Sequence, residues 1–151
     1  MIIHSLLMLF CGGVQALMAV LLSEDVQVPA GSIDVPTTAE TLAVVGFSLT
    51  LPSGNAKAVI RGWMDLTVGA GTTAITIAIY SGNAIGGRLV GTKQPQAGDF
   101  TPGSSAHFEY EVVDVLSNVG GAQYCMSVTQ TGATGDGTIT AALLDTSLLS
   151  G

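Results

Sequence analysis

The stretch AVIRGWMDLTVGAGTTAITIAIYSG, Ala58 to Gly82, decides the fold class. Ala58, Ile60, Gly62, Met64, Leu66 and Val68 fall on one parity, and Val59, Arg61, Trp63, Asp65 and Thr67 fall on the other. Successive side chains of a strand point to opposite faces, so this alternation predicts a long strand with one face buried and one face wet. Gly69, Ala70 and Gly71 end it, because glycine accepts the backbone angles of a tight reversal. Ile75, Ile77 and Ile79 then alternate with Ala74, Thr76, Ala78 and Tyr80, and Ser81-Gly82-Asn83 turns the chain again. Two β-rich runs around a glycine turn predict antiparallel strands.

The same rhythm extends outward from this stretch. On the C-terminal side Leu89 and Val90 mark a short strand, followed by the loop from Gln94 to Gly103, the expected place of contact with other molecules. Ala106, Phe108, Tyr110 and Val112 alternate against His107, Glu109, Glu111 and Val113. Tyr124, Met126 and Val128 alternate against Cys125, Ser127 and Thr129, Gly132 to Gly137 turns, and Ile139, Ala141 and Leu143 finish the pattern. On the N-terminal side Pro52 to Asn55 reads as a turn. Leu42 and Val44 share one parity while Phe47, Leu49 and Leu51 share the other, which predicts a bulge near Gly46. Ile33 and Val35 alternate, as do Val26 and Val28, with a break at Pro29 to Gly31.

These runs amount to about eight strands with turns at intervals of roughly ten residues, the spacing of a sandwich or barrel. No helical period follows Ser23, and parallel sheets need crossover helices, so the sheets are expected to be antiparallel. The expected fold is an all-β, two-sheet, jelly-roll-like sandwich over residues 24–151, preceded by a hydrophobic helix or arm over residues 1–23. An immunoglobulin-like sandwich is disfavoured, because Cys11 lies outside the strands and no Cys-Trp-Cys arrangement forms.

Composition narrows the function. A chain of 151 residues can bury a core without staples. Hydrophobic residues make up 48% of it and charged residues only 10%, which leaves a surface of Thr, Ser, Gly and Ala with little charge to keep copies apart. Assembly is therefore expected. Four basic residues, Lys57, Arg61, Arg88 and Lys93, stand singly against eleven acidic ones, for a net charge of −7. Nucleic acid is excluded as a partner, because holding phosphates needs clustered cations.

From Met1 to Ser23 no residue is charged, and apolar side chains such as Ile3, Leu7, Phe10, Leu17 and Leu21 would surround a helix on every side. A signal peptide is disfavoured by the missing basic start. Two readings stay open for residues 1–22: an arm packed on protein in an assembly, and a membrane anchor of about the length that crosses a bilayer. Cys11 and Cys125 fit no metal spacing and read as small buried hydrophobes rather than a disulfide pair.

No catalytic, cofactor-binding or metal-ligating residue is assigned from the sequence, and no enzymatic activity is expected. His107, Glu109 and Glu111 share one strand face, a pattern that could hold a metal but is more simply the outward side of a surface strand. No Gly-x-Ser-x-Gly elbow is present, and the glycine runs at 69–71 and 132–137 lack the Lys and helix of a phosphate loop. Trp63, Tyr80, Phe100 and Tyr110 are candidates for a sugar-stacking platform, but core or interface roles explain them more simply.

The stretches LTVGAGTTAITIAIYSG, Leu66 to Gly82, and QYCMSVTQTGATGDGTITAALL, Gln123 to Leu144, resemble small β-sandwich virion proteins of tailed bacteriophages, of the head-decoration kind. The resemblance lies in Gly-Thr turns between Val and Ile strands. It implies a cement protein on the outer capsid surface, bound to shell proteins and to copies of itself, often as a trimer. The expected function is thus a structural virion protein. A receptor- or glycan-binding module, with contacts from Gln94 to Gly103 and Asn83, is the alternative, and a membrane-anchored extracellular protein is the third.

Overall fold

The computed structural model describes residues 20–27, 33–35, 40–47, 55–82, 86–96, 98–117 and 122–150. Among these residues there is no helix. Nine strands follow one another: β1 (Val20–Gln27), β2 (Ile33–Val35), β3 (Glu40–Phe47), β4 (Asn55–Thr67), β5 (Ala74–Ser81), β6 (Arg88–Lys93), β7 (Ser105–Ser117), β8 (Ala122–Thr131) and β9 (Gly137–Ser150).

Every ladder is antiparallel. The first sheet has the order β1-β9-β4-β7, with the short β2 also on β9, and the second has the order β3-β8-β5-β6. The pairs β1 with β9, β3 with β8, β4 with β7 and β5 with β6 are nested, the outermost pair enclosing the next. A long two-stranded ribbon paired this way and then rolled closes two new ladders, β4 with β9 and β5 with β8. That is a jelly roll, the architecture the alternating runs predict.

Burial follows parity. On β4, Ala56, Ala58, Ile60, Met64 and Leu66 are buried, while Lys57 and Arg61 are exposed. The inward faces of β4, β7 and β9 meet Ile75, Ile77 and Ile79 of β5 and Tyr124, Met126 and Val128 of β8 in one core. Each such side chain taken out of water contributes about 1.5–3 kcal/mol.

Three details depart from the alternation read in the sequence. The ladder of β3 with β8 shifts between Thr41 and Ala43, and β3 runs straight through Gly46, so the phase slip sits at Leu42 and not near Gly46. The ladder of β4 with β9 shifts where Asp65 faces Ala141 and Leu66 faces Ile139. That extra residue reverses the parity of β9, so Ala142 and Leu144, not Ala141 and Leu143, point into the core. At the N-terminal side, β1 starts at Val20, so Val20 to Leu22 are strand rather than helix and the boundary drawn after Ser23 lies inside a strand. The rest of the apolar segment, residues 1–19, lies outside the described residues, as does the turn at Asn83.

One end of the sandwich is tied by a buried amide. Gln130, on the inward parity of β8, accepts hydrogen bonds from Gly69 N–H at 2.6 Å and from the Thr72 hydroxyl at 3.2 Å, and its Nε2 donates to the Val35 carbonyl at 2.9 Å. The β4–β5 and β8–β9 turns meet here, with Thr134 N–H donating to the Ala70 carbonyl at 2.7 Å. Gly69 has no room for a side chain, because a Cβ would run into the Gly135 carbonyl.

Candidate functional site

The outward face of the first sheet carries the chemistry-bearing residues, and the ladder registers place them in rows. Arg61 of β4 lies between Glu111 of β7 and Asp145 of β9. The next row is Glu109, Trp63, Leu143, and the one after it His107, Asp65, Ala141. His107, Glu109 and Glu111 thus do share a face, as their spacing requires. They turn to different partners: Arg61 Nε donates to Glu111 at 2.7 Å, while His107 Nδ1 lies 2.7 Å from Asp65 Oδ1 and its Nε2 lies 3.5 Å from Glu109. No group of three His, Cys, Asp or Glu suited to a metal occurs among the described residues.

The Asp65 hydrogen bond holds the His107 imidazolium above its ordinary range, with Glu109 adding to the effect and a little burial opposing it. Trp63 stacks beside the same imidazole, with ring centroids 5.7 Å apart and planes tilted by 30°.

On the other side of Trp63, toward the Arg61 row, the surface sinks into a depression of about 530 Å³. Trp63 and Leu143 give it apolar walls, and Arg61, Glu109, Glu111 and Asp145 give it charged ones. Lys93 reaches its rim from β6, donating to the Glu109 carbonyl. The four aromatics read together in the sequence do not form a platform. Phe100 packs against the core and Tyr80 lies on the second sheet, so of the four only Trp63 and Tyr110, itself packed against the core, line the depression.

A second cluster joins the two sheets along the side where β6 approaches β7. Arg88 Nη2 donates to both carboxylate oxygens of Asp114, at 2.7 and 2.6 Å, and the Tyr124 hydroxyl donates to Asp114 Oδ2 at 3.1 Å. Asp114 is 4% exposed. Burial above all, then the nearby carboxylate, pushes the Tyr124 phenol well above its ordinary range. Sequence parity carried the signal for this cluster: Asp114 continues the inward series Ala106, Phe108, Tyr110, Val112, and a carboxylate there needs a partner. Gln130 continues the inward series of β8 in the same way.

The large hydrophobic side chains most exposed among the described residues are Leu89 at 50%, Val113 at 51% and Val115 at 62%. All lie within one residue of the Arg88–Asp114 pair: Leu89 follows Arg88, and Val113 and Val115 bracket Asp114. Among the described residues β7 pairs with β4 alone and β6 with β5 alone, so these residues flank two sheet edges. The loop expected to make contacts is anchored at its far end, where Gly103 N–H donates to the Val68 carbonyl and Val68 N–H donates to that of Ser104. Cys125 is a buried free thiol, as expected, and Cys11 lies outside the described residues. No described helix is long and apolar enough to cross a membrane.

No family model and no curated protein matches the chain. Among solved structures, one described under the words "Bacillus endospore appendages form a novel family of disulfide-linked pili" is similar over 97% of this chain and 98% of its own, at 18% identity and a TM-score of 0.36. Likeness at that level says nothing about function.

Proposed function

We propose that this chain is a structural, non-catalytic subunit that associates with copies of itself on the outer surface of a particle. The observation that carries this reading is the grouping of Leu89, Val113 and Val115 beside the edges of β6 and β7. Monomeric β proteins guard long edges with lysines, prolines or bulges. Here the guard is partial. Lys93 occupies the Glu109 carbonyl partway along β7, while the stretch around Val113 and Val115 carries valines where a guarded edge would carry charge. The Arg88–Asp114 pair neutralises itself, so a second copy meets no unpaired charge there. The low charge content of the chain favours the same behaviour. Decoration of a capsid exterior is the particular form implied by the sequence resemblance, and it belongs to the same proposal.

Light scattering coupled to size exclusion, with electron microscopy of the same fractions, tests it. The wild-type chain should form defined oligomers or larger assemblies, and the Val113→Lys, Val115→Lys double variant should stay monomeric with an unchanged melting temperature. A wild-type chain that remains monomeric at high micromolar concentration would overturn the reading.

A further inference from the structure

We infer that the depression beside Trp63 is a binding site for a neutral sugar, an element of function separate from assembly through the β6–β7 side. Its volume, about 530 Å³, falls within the about 300–1,000 Å³ of small-molecule sites. Its chemistry selects the class of ligand. Trp63 is the only tryptophan of the chain and stands outward in the middle of a sheet, with His107 stacked on one side and the depression on the other. An indole in that position offers a flat apolar wall on which the C–H face of a pyranose can lie.

The opposite wall interleaves both charge signs. Arg61 supplies N–H donors, and Glu109, Glu111 and Asp145 supply acceptors. A sugar hydroxyl donates one hydrogen bond and accepts others, so it satisfies a carboxylate and a guanidinium together. A cation would find carboxylates but also Arg61 and Lys93 facing it, and an anion would meet three carboxylates. A neutral polyol is the class that uses every group present.

The energetics allow the exchange. Arg61 and Glu111 are each 58% exposed, and an ion pair at such a surface is screened by water and weak. Sharing it with a ligand hydroxyl therefore costs little. A Kd of about 1 mM, equivalent to about −4 kcal/mol, is expected for one saccharide unit at an open site of this kind.

Isothermal calorimetry and saturation-transfer NMR on the full chain test the inference, with neutral tetrasaccharides of glucose, mannose and N-acetylglucosamine as probes and tetramethylammonium chloride as the cationic comparison. Saturable binding of at least one tetrasaccharide is expected, weakened at least tenfold by Trp63→Ala and by Arg61→Ala, with the melting temperature of each variant showing that it folds. The Trp63→Phe variant, which keeps an aromatic wall, should recover part of the affinity. Three results would overturn the inference: no saturable binding of any tetrasaccharide at about 10 mM, tenfold above a millimolar Kd; binding unchanged in folded Trp63→Ala and Arg61→Ala variants; or saturable binding of tetramethylammonium with none of the sugars.

Discussion

Arg88 and Asp114 join the two sheets through an ion pair in which one guanidinium nitrogen reaches both carboxylate oxygens; the carboxylate is buried, while the arginine side chain is 59% exposed. Removing the exposed partner leaves the buried one stranded with only the Tyr124 hydroxyl. Arg88→Ala is expected to cost about 1.5–3 kcal/mol, the range for hydrogen bonds to a charged group. Asp114→Ala should cost a similar amount, because Arg88 and the Tyr124 hydroxyl then lose the carboxylate they share. Urea titrations of the two variants and of the double variant check this, and the double variant should lose less than the sum.

Tyr124 gives the fold an alkaline limit. Its folded pKa lies above the ordinary value of 10, because burial, and then Asp114, disfavour the phenolate. The unfolded chain therefore releases the proton first, so stability is complete below about pH 10 and declines as pH rises beyond it. Thermal melts between pH 8 and 11 should show this decline, and Tyr124→Phe should flatten it.

His107 and Trp63 form an optical titration pair. The imidazolium is favoured by Asp65 first and then by Glu109, so its midpoint lies above the ordinary 6.5. Protonated imidazole quenches a neighbouring indole, and Trp63 is the sole tryptophan. Fluorescence should rise with pH through a midpoint above 6.5, a midpoint that Asp65→Asn lowers and a transition that His107→Gln abolishes. By linkage, any stability His107 contributes is full below 6.5 and is lost as pH rises through the folded value.

Gln130 holds three segments with one side chain. The substitution Gln130→Leu keeps its approximate bulk but leaves the Gly69 N–H and the Val35 carbonyl buried without a partner. Each orphaned group costs about 1–3 kcal/mol, so a loss of about 2–6 kcal/mol is expected by urea titration. Hydrogen exchange of the Gly69 amide should accelerate in the same variant.

Much of this architecture was legible because a half-buried strand writes its two faces into sequence as parity. The long alternations of β4, β5 and β7 appear where the pattern placed them, but the glycine runs at 69–71 and 132–137, which read as hairpin turns, instead carry the chain from one sheet to the other. Parity fails where a bulge inserts a residue, and bulges are set by ladder geometry between strands far apart in sequence. Leu42 and the Thr140–Ala141 region show this, since in both places the apolar residues alone put the slip elsewhere or missed it. The site was legible only in part. Trp63, His107 and Glu111 each read as outward residues, but the depression between Trp63 and the Arg61 row exists only because β9 brings Leu143 and Asp145 alongside β4, a pairing some eighty residues distant that no local pattern encodes.

The nested pairing has a consequence for biosynthesis. The last of the described strands, β9, is not at an edge: it lies between β1 and β4 and also receives β2. A nascent chain can form the β5–β6 hairpin and lay β4 against β7 while still being elongated, yet β1 has no sheet neighbour until residues 137–150 emerge from the ribosome. The first sheet is therefore completed only after β9 is available, and with pairings this remote the rate of folding is governed by closing the largest loops rather than by local structure.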